Sequence, residues 1–595
     1  MASSPISEDT NIVSYTILSA GSDIPSTYEV RSIKIEQHLN RIAEAEIIIR
    51  DGDAGNQEFE VTDSNTFKPG TAIEIKLGYQ NSDTSIFKGI VIKQIVKIDD
   101  VHGSKLQVIC KDENLKLTTT RKSAIFTDSM DSDIISQLVG DYSGLSSDIT
   151  ATTVSHKEVV QYYTTDWDFI VTRAQINGMI VSTDSGKLVV AKPDVSTAPE
   201  LQVQFGYDII EFDGEIDATH QYAGAAANAW DMATQAVINA TASDPTVNEQ
   251  GNLTGTQLAE VLGSTTTTLD TTAAITQDDI QTWADAALLK SRLSRYKGSI
   301  TFQGSAKAKV NTLIKLIGVS DRLNGNAFIS GVTHTVEEGR WNTEVKIGLS
   351  PEWFVEKHTI TAPDASGLLP GIKGLQTGIV KKIYEDPDNE FRVQVEIPIL
   401  GADGDSVWAR LSTFYNGNSV GAFFMPEVND EVILGFMNDD PRFPIILGSV
   451  YSSSIAAPET PDENNTIKTI ITQSKLQLKF DDENKVITLL TPEGNTIVIS
   501  DQDKGIKLED QNGNTLEMND SGITVDSASS LTLKAADDVT IKGTSVSISG
   551  SQSVSVSGAS VSVSGDQSVA VSGSAQCEVS SDGQMSVKGS IVMIN

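Results

Sequence analysis

Between Ile12 and Cys110 apolar and polar residues alternate in short runs, Arg31-Ser-Ile-Lys-Ile, Ala45-Glu-Ile-Ile-Ile, Ala72-Ile-Glu-Ile-Lys-Leu and Leu106-Gln-Val-Ile-Cys, parted by Gly, Asp, Asn and Pro. A period of two with frequent turns predicts an antiparallel sheet or barrel over 1–120. Residues 121–200 change character. Asp131-Ser-Asp-Ile-Ile-Ser-Gln-Leu-Val and Asp166-Trp-Asp-Phe-Ile-Val-Thr-Arg-Ala each set an acidic cap before an apolar helical face, and Lys187-Leu-Val-Val-Ala-Lys reads as a strand, so a small α/β insertion is expected. Alternation resumes over 201–360, broken by an Ala-rich stretch (223–240), a Thr/Gly stretch (254–272) and a helical pattern (278–295), which predicts a second barrel. A Pro/Gly/Ser linker at 361–372 precedes an all-β unit over 373–455, of the size of a five-stranded OB barrel. Its strand candidates begin at Gly378, Phe391, Val407, Gly421 and Glu431, and a second linker, 452–462, follows it.

The strictest pattern lies in the last third. Two apolar residues one position apart, then a small one, recur as Leu531/Leu533/Ala535, Val539/Ile541/Gly543, Val546/Ile548/Gly550, Val554/Val556/Gly558, Val561/Val563/Gly565, Val569/Val571/Gly573, Cys577/Val579/Ser581 and Met585/Val587/Gly589, at steps of seven or eight residues. A cruder version runs upstream through Ile506/Leu508, Leu516/Met518 and Ile523/Val525. A flexible Ser/Gly linker has no reason to hold phase, whereas β-branched residues in fixed register mark strands. Burying two side chains per repeat falls short of the entropy lost in ordering the repeat, so the strands must also find continuous backbone partners. One chain winding three repeats per coil makes a stubby stack, while three chains supplying one strand each turn every repeat into a layer. The pattern therefore predicts a homotrimeric, intertwined β-helix over 463–595. Its core would be Val546, Ile548, Val554, Val556, Val561, Val563, Val569, Val571, Cys577, Val579, Met585 and Val587. Gly543, Gly550, Gly558, Gly565, Gly573 and Gly589 would turn its corners, where a positive φ or a tight approach is needed.

Charge narrows the partners. Asp and Glu number 80 against 44 Lys and Arg in 595 residues, and a net charge of −36 repels phosphate backbones and anionic lipid, which argues against nucleic acid. Two cysteines, Cys110 and Cys577, supply no disulfide framework. The start, MASSPISEDT, lacks the basic and apolar segments of a secretory signal, and no long uncharged apolar run occurs. Assembly in the cytoplasm without a signal peptide is expected, of a protein that is not integral to a membrane.

Several blocks carry a family resemblance. They are Asp51-Gly-Asp-Ala-Gly, Phe67-Lys-Pro-Gly-Thr-Ala-Ile-Glu-Ile-Lys-Leu-Gly-Tyr and Ile86-Phe-Lys-Gly-Ile-Val in the first region, and Gln161-Tyr-Tyr-Thr-Thr-Asp-Trp-Asp-Phe-Ile in the insertion. The most specific lie in the OB unit: Asp386-Pro-Asp-Asn-Glu-Phe-Arg-Val-Gln-Val, Val407-Trp-Ala-Arg-Leu, Met425-Pro-Glu-Val-Asn-Asp-Glu-Val-Ile-Leu-Gly-Phe and Asp440-Pro-Arg-Phe-Pro-Ile-Ile-Leu-Gly-Ser-Val-Tyr. With these the chain resembles VgrG-family spike proteins of contractile injection systems, which are similar to fused hub and spike proteins of contractile phage tails. It looks closer to spikes of extracellular contractile particles than to the commonest type VI secretion versions. The resemblance implies a mainly β fold of two hub barrels with an α/β insertion, an OB-fold domain and a trimeric needle. It implies a pseudo-sixfold ring matching a hexameric inner-tube protein, contacts with baseplate proteins, effector cargo, and a PAAR-type tip protein seated on Ser590, Ile591, Val592, Met593, Ile594 and Asn595. In the OB unit, Trp408, Pro426, Glu427, Gly435, Asp440, Pro441 and Gly448 are the expected structural positions. The particle would be released or injected extracellularly and would puncture a target membrane when a sheath contracts. The chain ends directly after the needle, so no fused effector domain is expected.

No catalytic signature emerges: Gly-x-Ser-x-Gly, His-Glu-x-x-His and a phosphate-binding loop are all missing from the sequence. Phage spikes with iron at the tip use histidine pairs, and of His38, His102, His156, His220, His334 and His358 none lies in the needle, so neither metal nor cofactor is expected. His334 in a strand reads as a hydrogen-bonded structural residue. Asp51-Gly-Asp-Ala-Gly-Asn resembles a calcium loop but lacks its remaining spacing and terminal Glu, and reads as a turn. Two alternatives stand beside the structural spike: a type VI secretion VgrG in place of an extracellular particle spike, and a β-solenoid polysaccharide lyase or adhesin. The exposed Ser and Gln of the repeats argue against the lyase, which needs a groove of clustered acids and bases.

Overall fold

The alternating runs of the first and second regions meet in one thirteen-stranded sheet of the computed structural model, which describes residues 2–7, 12–100, 103–401 and 406–594. The seam is the antiparallel pair Val30–His38 with Gly325–Glu337, in register from Ser32 opposite Glu337 to His38 opposite Gly331. Each region keeps its own core, because alternate side chains of every strand point inward. Ile33, Ile35, Ile47, Ile49, Ile75, Leu106 and Val108 fill one, and Val203, Ile300, Phe302, Ile314, Val332 and Val345 fill the other. The chain is mainly β, 40% strand and 12% helix. It divides into two units, 1–448 and 449–595.

The insertion holds the hairpin Arg121–Met130 with Ser155–Thr165, a three-stranded sheet and two helices, Asp131–Gly140 and Asp166–Ile176. The helices fall where the apolar faces predict them, but neither aspartate is the cap. Thr165 caps the second, its hydroxyl accepting from the Asp168 amide at 3.1 Å. Asp131 and Asp166 sit one position inside and are buried for other work. Asp131 accepts from Arg173 Nε at 2.6 Å and Nη2 at 2.9 Å and from Asn177 at 2.8 Å, and Asp166 pairs with Lys122 at 2.7 Å. The Ala-rich stretch is a hairpin, Gly224–Asp231 with Ala236–Thr241. Its small side chains Ala227, Ala229 and Ala240 let Ile280 and Ala284 of the helix Gln277–Leu293 pack directly on the sheet.

The OB unit is a closed five-stranded barrel of Gln376–Lys382, Val393–Glu396, Ser406–Leu411, Glu431–Phe436 and Pro444–Ser449 around Val380, Val393, Val395, Ala409, Val432, Leu434 and Ile446. Its fifth strand corrects the expectation at Gly421. Val420–Gly421 makes only a two-residue pair with Asn416–Gly417, leaving Phe423 and Phe424 exposed, and the barrel closes through Pro444–Ser449, parallel to Ser406–Leu411. Proline at the first residue of that strand costs no ladder bond. Nor is 361–372 a slack linker: the Ile372 amide donates to Asp439 O at 2.8 Å, and Asn438 Nδ2 to Ser366 Oγ at 2.9 Å.

Candidate functional site

The C-terminal unit opens with seven five-residue strands from Ile467–Ile471 to Gly522–Asp526, joined as an antiparallel meander. Residues with positive φ close its turns: Lys475, Lys485, Gly494, Lys504, Gly513 and Gly522. Register lines up two apolar columns on one face. One runs Ile470, Leu478, Leu489, Ile497, Leu508, Leu516, Val525, and the other Phe480, Ile487, Ile499, Ile506, Met518, Ile523. The reverse face carries Thr469, Lys479, Thr488, Val498, Lys507, Glu517 and Thr524. Nine of the thirteen column side chains are exposed. A sheet with one apolar face in water is incomplete.

Beyond Leu531 the same pairing of apolar residues continues without the sheet. Among the described residues, 531–594 contain no strand and no backbone–backbone hydrogen bond. The predicted core valines lie open: Val546, Val554, Val561 and Val569 are 52–54% exposed, and Ile548, Val556, Val563, Val571, Val579 and Val587 are 70–76% exposed. Met585 and Cys577 are exposed as well. Cys110, by contrast, is buried in the first core, which pushes its thiol up to about 12. Unpaired amides and bare valines over this length cannot be a final state in water.

None of the six predicted corner glycines has positive φ, and what a side chain there would meet is the backbone that follows. In the eight-residue steps a Cβ on Gly550, Gly565 or Gly573 would meet the carbonyl oxygen three residues on at 2.4, 2.5 and 2.1 Å. In the seven-residue steps Gly543, Gly558 and Gly589 meet the oxygen two residues on at 3.1, 3.3 and 3.1 Å. At Ser581 a side chain takes this position and its Oγ accepts from the Gly583 amide at 3.2 Å.

At the end of the chain Ile591, Val592, Met593 and Ile594 are 49–91% exposed and follow Ser590, while Asn595, like His102, lies outside the described residues. In the OB unit Trp408 stands opposite Gln394 on the strand Ser406–Leu411, and Pro426 is buried. Glu427 and Asp430 close a turn: the Asp430 amide donates to the Glu427 carbonyl, and the Glu427 amide to Asp430 Oδ2. Asp440, beside Pro441, is clamped by Arg442 at 3.0 and 2.7 Å, as Asp386 is by Arg392, and both guanidinium groups hold their carboxyl partners below the usual range. Gly435 and Gly448 are crowded by nothing within 3.4 Å. His334 is buried, with Thr343 Oγ1 at 2.9 Å and the Trp341 indole donating to its Nδ1 at 3.3 Å, and burial pushes it down to about 3. Asp51 accepts from the Val61 and Thr62 amides, and Asp53 from those of Gly55 and Asn56, which makes this segment a turn. Among the described residues no cluster of three or more His, Cys, Asp or Glu is disposed to hold a metal. The part of the apolar face that sequence reasoning missed lies upstream of Ile506. Leu478/Phe480, Ile487/Leu489 and Ile497/Ile499 show the same spacing.

Comparison with known proteins places these domains. The family model of the Alg8 N-terminal domain matches residues 9–338, more than half of the chain. The chain belongs to the Alg8 N-terminal domain family. Residues 376–451 match the type VI secretion system/phage-baseplate injector OB domain, and 486–575 the phage baseplate V C-terminal trimerisation domain. Its homologues include the type VI secretion system spike protein VgrG5 of Pseudomonas aeruginosa, 30% identical over 112 residues, which are 18% of this chain and 14% of that one. VgrG3 of Vibrio cholerae is 34% identical over 88 residues, 14% of this chain and 9% of that one. The chain thus spans less than a sixth of the length of these curated relatives. A prophage MuSo2 43 kDa tail protein of Shewanella oneidensis aligns at TM-score 0.44 and 12% identity, over 57% of this chain and 98% of that one. The Escherichia coli c3393 protein, a component of the type VI secretion system, aligns at 0.36 and 12%, over 73% and 99%. No helix among the described residues is long and apolar enough to cross a membrane.

Proposed function

We propose that three copies of this chain form the central spike and hub of a contractile injection machine. The observation that carries the reading is the unbroken apolar strip, which begins at Ile470 and continues through the repeats to Met585 and Val587 with nothing in its own chain to cover it. Three meanders turning their columns to a common axis would bury that face. In the repeats each chain would supply the strand that the other two lack, with Val546 through Val587 inside and the glycines at the corners. The match of 486–575 to a trimerisation domain supports this number of chains. The two-core sheet of 1–360 would form the hub on the inner tube and baseplate, the OB barrel would follow at 373–455, and the apolar end, Ser590 to Asn595, would seat a PAAR-type tip protein. Driven by a sheath, the rod would pass through a target envelope by stiffness rather than by chemistry. Three chains together carry three times −36 charges, so affinity for anionic lipid cannot do that work. The protein is proposed as a mechanical component and not an enzyme.

Light scattering on the purified chain tests the reading. A particle of three times 63.7 kDa, about 191 kDa, is expected, and a folded 63.7 kDa monomer at micromolar concentration contradicts it.

A further inference from the structure

A cavity of about 360 Å³ opens where the first region, the insertion and the second region meet. Its floor is apolar, from the buried side chains of Leu39, Met179, Ile180 and Phe354. Around it stand His38 and Arg41 after the seam strand, Lys290 on the helix Gln277–Leu293, and Lys346 on the strand Arg340–Ile347. Among the described residues no carboxylate lies within ion-pair distance of Arg41, Lys290 or Lys346. Of the acidic groups nearby, Glu352 lines the same cavity and is paired there with Lys357, Glu356 accepts from the Trp353 amide, and Glu36 pairs with Lys34. Lys290 rests 5.2 Å from the Trp353 ring centroid, and burial pushes its ammonium down to about 8.

The neutral groups also face the cavity as donors. Asn40 and Gln175 use their carbonyl oxygens to accept the amides of Val181 and Phe354, at 2.9 and 2.8 Å, which leaves their NH2 groups to donate. His38 fits because Gly331 has no Cβ, which would fall 2.1 Å from Nδ1. Burial, then the charges of Lys346 and Arg41, push His38 down to about 4, so at neutral pH it adds no charge of its own. In a chain of net charge −36, three unpaired cations and two donor amides converge on one small space. Arg41 and Lys346 both act against a charge on His38, and an anion in this space would be attracted by the cations that line it.

We propose that this cavity binds a small organic anion, a carboxylate or phosphate monoester whose oxygens meet Lys290, Lys346 and Arg41 and whose apolar body rests on Leu39, Ile180 and Phe354. The volume lies within the range of small-molecule sites. The site sits wholly in the first unit and stands apart from the spike reading, so it can hold or fail whatever the number of chains.

Titration calorimetry of the full chain with phenyl phosphate tests it, with inorganic phosphate and benzyl alcohol as comparators. Phenyl phosphate is expected to saturate one site per chain, inorganic phosphate to bind more weakly, and benzyl alcohol not to bind. Lys290→Met is expected to weaken phenyl phosphate about tenfold or more, and Lys290→Arg to keep most of the affinity. Lys346→Gln on the exposed rim, which leaves the interior untouched, is expected to weaken it several-fold. No saturation up to about 10 mM, or an affinity unchanged in both Lys290→Met and Lys346→Gln, overturns the proposal.

Discussion

The meander at 467–526 and the repeats at 531–589 use the same side-chain formula, two apolar residues one position apart, yet they solve the backbone differently. In the meander a residue with positive φ closes each turn, the strand reverses, and its amides pair with the neighbouring strand of the same chain. The repeat corners have no such residue, so the chain bends without folding back and its amides meet no partner in the chain. Turn chemistry thus decides whether a strand is completed from within or from without. Both segments leave the apolar face bare, so the unit is incomplete on its own.

The difference can be broken most severely at Val556. Val556→Asp would set three carboxylates in one dry layer, a cost of several kcal/mol each, and light scattering should then find no 191 kDa particle, three times 63.7 kDa. Thr488→Asp, on the polar face of the meander, should leave it intact. A buried pair in the first unit offers the next contrast. Asp131→Asn should destabilise the insertion by about 3 kcal/mol by stranding Arg173, and thermal unfolding should show this loss independent of protein concentration, whereas Val556→Asp acts on assembly. The corners come next. Gly573→Ala, which drives a Cβ to 2.1 Å from the Gln576 oxygen, should cost about 1–3 kcal/mol per chain. Gly558→Ala, at 3.3 Å, should cost less than about 1 kcal/mol, and the two melting midpoints should differ accordingly. The smallest effect is acid lability of the insertion. Arg173, His156 and Asn177 hold the Asp131 carboxyl well below its ordinary value against the opposing pull of burial. Its contribution is therefore complete above about pH 3.9 and fades as pH falls toward the folded-state value, so melting of the first unit should begin to drop below about pH 4 and keep falling as the solution is made more acidic.

Local features were legible and long-range ones were not. The repeats, the OB motifs and both insertion helices announce themselves through periodicity and fixed spacing. The seam between Val30–His38 and Gly325–Glu337 joins strands almost three hundred residues apart, and no local signal records such a pairing. Gly421-Ala-Phe-Phe-Met has strand composition, yet the barrel takes Pro444–Ser449 because parallel pairing with Arg410 and Leu411 buries Ile446. Asp131 and Asp166 look like caps in sequence, since only the fold brings Arg173 and Lys122 to them. The cationic cavity draws on residues from His38 to His358 and was invisible for the same reason.

Hydrogen exchange on the full chain tests the central claim most directly, because it reads the backbone pairing of the two segments side by side. Amides of 531–589 should be protected for hours, as strongly as those of 467–526. Exchange of 531–589 within seconds, beside a protected meander, would contradict the account.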